Sequence, residues 1–255
     1  ESVIKEKSLD GQVLEAYEEG LNSLRGGDVL YAAKKFNEAE MLFPQSEWAP
    51  KSALMAAYSY YSQDYLDDAI AELDRFLIVY PLSKNIDYAT YLLANSHYEK
   101  IVDEKKDLQS ILFAKENFNK VLKNHPNTEY ALDSEFKIDL INDILAAKEM
   151  YLGRYYFDRK KWIPAINRFR TVIDEYDTTI YVEEALHRLV EVYYTIGLIN
   201  EAEKYAKILG YNYKSSKWYE KSYTVFNKEY EKKRIKTEKK KTSFLSKAKS
   251  LFALD

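Results

Sequence analysis

Apolar residues recur along most of this chain at intervals of three and four, the spacing that places them on one face of an α-helix. In "QDYLDDAIAELDRFLIVYP", Gln63 to Pro81, the apolar set is followed by a proline that ends the helix. The same skeleton occurs in "VLYAAKKFNEAEMLFP" and "LFAKENFNKVLKNHP". Aligned on their prolines, Ala32, Phe36 and Ala39 precede Pro44, Ala69, Leu73 and Phe76 precede Pro81, and Ala114, Phe118 and Val121 precede Pro126. A fourth copy carries Ala165, Phe169 and Val172 before Asp177, and a weaker fifth carries Ala202, Ala206 and Leu209. Upstream of the first four lies a second helical stretch with a small residue, Gly20, Ala57, Ala94 or Gly153. Two helices per unit, small residues where they touch and a stop after the second form the tetratricopeptide pattern. No strand-like alternation competes with it. The expected fold is all-α, a tetratricopeptide-repeat superhelix of five helix pairs, about ten helices, with a C-terminal tail.

The repeats are uneven. Equivalent alanines lie 37, 45, 51 and 37 residues apart, against a usual period of about 34. The third unit therefore needs an extra loop, for which Asp103–Ser110 is the polar candidate. The fourth needs a long first helix, from about Tyr130 to Phe157. These lengths divide the chain into an N-terminal tether (1–12), a module of repeats 1–3 (13–128), a module of repeats 4–5 (129–223) and a basic tail (224–255).

Residues spaced by three and four along the first helix of each pair line the inner side of such a stack. In the first three repeats they include Tyr17, Tyr58, Tyr61, Tyr88, Tyr91, Asn95 and Tyr98. Together they suggest an aromatic groove for an extended peptide, with pockets for side chains and hydroxyls for the backbone. Simple packing between repeats is the competing use of each tyrosine. The fourth repeat offers Ala147, Met150, Arg154 and Phe157, the fifth Glu184, His187, Glu191 and Tyr194. This more charged set suits docking of a folded partner.

Composition narrows the chemistry. Seven Gly and five Pro in 255 residues favour helices with short joints, and 24 Tyr give the groove its material. The net charge of −3 gives no field for nucleic acid. Yet residues 228–249 hold ten cations against three anions, a local +7. After them "SFLSKAKSLFALD" places Phe244, Leu245, Ala248, Leu251 and Phe252 on one side of a helix. That segment is either a recognition helix for a groove or anionic membrane, or a cap on the last repeat. There is no cysteine, hence no disulfide or thiolate metal site. The three histidines sit in different repeats without metal-ligand spacing, and no phosphate loop or nucleophile elbow occurs. No catalytic residue, metal or cofactor is expected; a carboxylate pair on a helical enzyme is the remaining catalytic alternative. No apolar run is long enough to span a membrane.

From Ala57 to Tyr91, "AYSYYSQDYLDDAIAELDRFLIVYPLSKNIDYATY" resembles the BamD (YfiO) family, as do "FAKENFNKVLKNHPNTEYALDSEFKIDLI", "EMYLGRYYFDRKKWIPAINRFRTVIDEYDTT" and "NEAEKYAKILGYNYKSSKWYEKSY". Asn85-Ile86-Asp87-Tyr88 is more specific than repeat consensus, and Trp162 before Pro164 and Trp218-Tyr219 also fit. The resemblance covers roughly residues 12–223. It implies a non-enzymatic scaffold on the periplasmic face of the outer membrane, part of the β-barrel assembly machinery. The N-terminal repeats would bind signals of unfolded outer-membrane barrel proteins. The C-terminal repeats would dock the POTRA domains of a BamA-like component, with other assembly lipoproteins alongside. The family's N-terminal lipidated cysteine is absent here, and the expectation is that it precedes Glu1. Another periplasmic repeat lipoprotein, a Tol–Pal-associated coordinator or a pilus-assembly factor, is the alternative.

Overall fold

The computed structural model describes residues 8–101 and 108–227. Eleven helices account for most of them: α1 (Leu9–Arg25), α2 (Val29–Leu42), α3 (Trp48–Tyr61), α4 (Leu66–Val79), α5 (Ile86–Glu99), α6 (Leu108–Asn124), α7 (Glu129–Asp158), α8 (Trp162–Glu175), α9 (Val182–Thr195), α10 (Ile199–Asn212) and α11 (Lys217–Phe226). No strand occurs among the described residues. The fold is all-α and built from antiparallel helix pairs of tetratricopeptide type, as the periodicity predicts. The chain separates into two compact units between Ile141 and Asn142. This division falls inside α7, which gives its first thirteen residues to one unit and the rest to the other.

Each second helix stops where its sequence demands. Helices α2, α4 and α6 end two residues before Pro44, Pro81 and Pro126, whose rings and missing N–H forbid continuation. Prolines 50 and 164 are instead third residues of α3 and α8, within the first turn, where no intrahelical donor is required. Side chains cap several starts: Ser8 accepts from the Gly11 amide, Asp28 from Tyr31 and Ser216 from Trp218.

The joint inside each pair has its own rule. Gly27, Asp64, Lys160 and Gly197 all have positive φ, from 55° to 84°. Each stands five residues before the repeat alanine, at Ala32, Ala69, Ala165 and Ala202. A Cβ at Gly197 would meet nothing within 4 Å, so any penalty for a side chain there is one of backbone conformation alone. Gly197→Ala is expected to cost about 1 kcal/mol in urea denaturation, while Lys160→Gly costs nothing because it relieves a left-handed L-residue.

The repeat signature is the core. All three signature residues of each of the first four copies are fully buried, from Ala32, Phe36 and Ala39 to Ala165, Phe169 and Val172. In the fifth, Ala202 and Leu209 are buried and Ala206 is only half-buried. The small residues opposite make room. A Cβ on Gly20 would lie 2.9 Å from the Phe36 ring, and one on Gly153 would lie 2.4 Å from the Phe169 ring. In the first unit α1 through α6 pack in sequence order, with Ala53, Leu54, Ala57, Leu73, Phe76, Leu92 and Leu93 forming one cluster. In the second, Ala146 and Met150 of α7 meet Phe169 and Val172 of α8 and Leu189 of α9. Met150, expected on an open inner face, is therefore core.

Three expectations about extent change. Residues 9–12, assigned to a tether, are the first turn of α1. Residues 224–226, assigned to the tail, end an eleventh helix that packs on α9 and α10. Its ten residues carry no repeat signature, so the repeat count could not supply it. Of the predicted loop, 108–110 open α6 and the remainder lies outside the described residues, as do 228–255 with the amphipathic segment.

Candidate functional site

The first helices of the three N-terminal pairs, α1, α3 and α5, neighbour one another directly. Their outward tyrosines therefore form a continuous surface. Tyr17, Leu54, Met55, Tyr58, Asn85 and Tyr88, with Lys51 and Tyr130, line a concavity of about 550 Å3. Tyr17 is fixed by rings on two sides, Phe36 at 5.2 Å and Trp48 at 5.1 Å between centroids. Lys51 rides over Trp48 at 4.8 Å and places a cation at the groove. Tyr130, from the start of α7, lies 5.4 Å from Tyr88 and 5.1 Å from Tyr91.

Of the seven residues expected to bind peptide, Tyr17, Tyr58 and Tyr88 line this concavity. The other four lie beside it. The Tyr91 hydroxyl donates to Asp133 at 2.6 Å. Tyr61 donates to Glu99 at 2.5 Å. Tyr98 packs edge-on against Phe118 and carries Lys137 on its face. Asn95 is buried, against the expectation of a groove contact, with its side-chain Oδ1 unpartnered. It directly follows the small residue Ala94 on the helix, and its short side chain is taken by the core.

The Tyr88 and Tyr91 hydroxyls are held neutral. Burial, with the neighbouring Tyr58, Tyr130 and Tyr91, pushes Tyr88 up to about 12. Burial and the bond to Asp133 push Tyr91 up to about 12. Such phenols stay protonated near neutral pH and can donate to a backbone carbonyl as well as accept. Tyr130 and Lys51 were not anticipated. Tyr130 belongs to the N-terminal extension of α7, which a count from Gly153 passes over. Asn85, the first residue of the specific Asn85-Ile86-Asp87-Tyr88 element, does reach the concavity.

The second unit gathers its charged residues around one arginine. Arg188 holds Glu184 (3.3 Å) and Glu191 (2.8 Å), and its guanidinium lies 5.8 Å from both the Phe157 and Trp218 rings. Arg154 reaches Glu184 at 3.0 Å. Burial raises Glu191, but the hydrogen bond and charge of His187, then Arg188, outweigh it and leave the carboxyl below its usual range. Arg154, Phe157, Glu184, His187 and Glu191 are thus brought together, through Arg188, which sequence reasoning missed. Tyr194 stands apart, edge-on to Phe226 of α11 at 5.3 Å.

His187 does not face outward as the docking set requires. It is 3% exposed, with Nδ1 2.8 Å from Ser222 Oγ and Nε2 3.4 Å from Glu191. The reason is α11, which closes over this face of α9 and brings Ser222 and Trp218 against the imidazole. Ser, His and Glu in this order have the look of a hydrolytic triad, yet Ser222 is fully buried. A nucleophile needs access to substrate, so these contacts serve as a latch between α9 and α11. Among the described residues no group of acidic or histidine side chains could hold a metal ion, and no helix is long and apolar enough to cross a membrane.

Residues 9–208 match the model of the YfiO family, described as outer membrane lipoprotein. A protein of Rickettsia prowazekii called outer membrane protein assembly factor BamD is 43% identical over 82% of this chain and 83% of its own length. A protein of the same name from Caulobacter vibrioides is 41% identical over 83% of this chain and 69% of its own. One from Neisseria meningitidis is 31% identical, covering 81% of each.

Proposed function

This chain belongs to the BamD (YfiO) family, and on that premise we propose that it acts in outer-membrane protein assembly as a non-enzymatic scaffold. Its first unit takes an extended segment of an unfolded outer-membrane β-barrel protein into the aromatic groove. Its second unit docks the POTRA-bearing, BamA-like component of the machinery. It works at the periplasmic face of the outer membrane, with other lipoproteins of the assembly alongside.

The observation that carries the peptide reading is the tyrosine-lined concavity of the first unit, with Tyr17, Tyr58, Tyr88 and Tyr130 around one space and Lys51 beside it. Rigid aromatic walls lose little entropy on binding, and neutral hydroxyls can pair with a peptide backbone without selecting one sequence. Lys51 suits a carboxylate. For the docking reading the support is the exposed part of the Arg154–Glu184–Arg188 network and Tyr194; buried His187 is left out of it.

The test is titration of a fluorescent C-terminal peptide from a β-barrel protein. Tyr88→Ala should weaken binding by about 1–3 kcal/mol, roughly 5- to 150-fold. Tyr58→Ala should act in the same direction. Tyr91→Ala is a poorer choice, because it also releases Asp133. Equal affinity in folded Tyr58→Ala and Tyr88→Ala variants would remove the groove from consideration.

A further inference from the structure

A second cavity of the first unit, about 420 Å3, lies between α2 and α4 and shares no lining residue with the tyrosine groove. Its outer part is apolar, with Met41 and Val79 both exposed. Ile78, beside Val79, is exposed as well, and Leu82, two residues past Tyr80, is 95% exposed. Four large apolar side chains open to water at one cavity and the end of α4 are more than scattered single exposures.

The inner part is acidic. Arg75 is fully engaged: its two Nη atoms donate to Glu40 and its Nε to Glu72, at 2.7 to 2.9 Å. Glu40 is satisfied, since the Tyr80 hydroxyl donates to it too. Glu72 is not. Its Oε2 takes Arg75, while among the described residues Oε1 has a single long contact, 3.4 Å from Asn37 Nδ2. The Oδ1 of Asn37 is buried without a partner, an acceptor left unpaired at a cost to the fold. Two carboxylates and one guanidinium leave this wall one negative charge in excess. That charge sits at Glu72, whose side chain is 20% exposed.

The combination selects its ligand. An anion finds no free cation, because Arg75 is already paired. An apolar side chain alone would take Glu72 out of water without a partner. A cation on an apolar stem suits both parts: its methylenes lie along Met41 and Val79, and its head meets Glu72. Arginine suits better than lysine, because its planar fork of donors can serve a carboxylate oxygen and an amide carbonyl together. The exposed Ile78 and Leu82 call for apolar neighbours on the ligand, which a protein segment has and a free amino acid or polyamine lacks.

We propose that the α2–α4 cavity receives an arginine side chain of a protein partner, flanked by apolar residues of the same segment, with its guanidinium on Glu72. This is a second interaction surface of the first unit, built on the second helices of its pairs.

The chain's three methionines tell the sites apart. Met41 lines this cavity, Met55 lines the tyrosine groove and Met150 is core. The probe is the blocked tripeptide acetyl-Leu-Arg-Leu-amide, titrated into the full chain with carbon-13 in its methionine methyl groups. It should move the Met41 signal saturably and leave those of Met55 and Met150 in place. Citrulline in place of arginine, a neutral side chain of the same shape, should weaken binding about tenfold or more. Lysine there should also bind more weakly than arginine. Glu72→Gln, which keeps the Arg75–Glu40 pair, should bring the arginine peptide down to the citrulline level. Val79→Lys, at an exposed position, should abolish the Met41 shift, with circular dichroism showing that both variants are folded. An unmoved Met41, equal affinity for the citrulline or lysine peptide, or undiminished binding in either folded variant would overturn the proposal. So would a shift at Met55 alone, which places the peptide in the tyrosine groove.

Discussion

Phe169→Ala is expected to destabilise the second unit by about 3–5 kcal/mol, the largest loss for any single truncation. Phe169 is fully buried and its ring lies against Gly153, with Ala146, Met150, Ala165 and Leu189 in the same cluster. Removing the ring leaves a cavity whose walls belong to three helices, so it cannot collapse by moving one of them. The reciprocal substitution fails for the opposite reason. In Gly153→Val even the first carbon would sit 2.4 Å from the ring, and overpacking of that kind costs about 1–3 kcal/mol or more. Combining them as Gly153→Val with Phe169→Ala should lose less than the two single effects together, because the valine enters the space the ring vacates. Urea denaturation followed by helical circular dichroism reads all three; strictly additive losses would show that the two residues do not share one space.

Arg75→Met should cost about 2–4 kcal/mol at neutral pH, a loss that shrinks in acid. Glu40, on α2, has a side chain only 10% exposed. Arg75 of α4 grips it with two bonds of 2.8 and 2.7 Å, and the Tyr80 hydroxyl adds a third at 2.7 Å. Burial alone would raise the Glu40 pKa. The hydrogen bonds from Arg75 and Tyr80 and the charge of Arg75 outweigh burial and hold it below its ordinary value near 4.5. The native contribution is therefore present above about pH 4.5 and is lost as pH falls through the lower folded value. In Arg75→Met the sign reverses: burial dominates, Glu40 is raised, and protonation relieves an unpaired charge. The gap between wild type and variant should be widest at pH 7 and narrow at pH 4. Adding Glu40→Gln should restore much of the loss at pH 7, since it removes the stranded charge. A gap that stays constant between pH 7 and pH 4 would assign the effect to lost packing of the arginine stem.

The repeat was legible because its signature is local. Alanine, a large apolar residue four positions on and a stop two residues past the helix are all written within one helix, and period alone places them on the buried side. The length of α7 was legible for the same reason, since nothing between Tyr130 and Phe157 breaks a helix. What failed was the outward side. Tyr88 and Asn95 stand on the same helix seven residues apart, nearly the same direction, yet one lines the groove and the other is buried. Seven residues are two turns, so each meets a different neighbour, and periodicity within one helix carries no information about the next. His187 was placed on a docking face because α11 has no repeat signature, and it is α11 that covers it.

The amino-acid sequence by itself therefore determined the all-α class, the paired helices, their stops, the core phenylalanines and the family. These follow from residue spacing along one strand of chain, where backbone geometry is fixed at 100° per residue. Only the tertiary structure decided which tyrosines share a space, that Tyr130 joins them, that Arg154 reaches Glu184 and that Ser222 latches His187. Those relations connect residues from 30 to more than 100 positions apart, and their distances are set by how neighbouring helices pack.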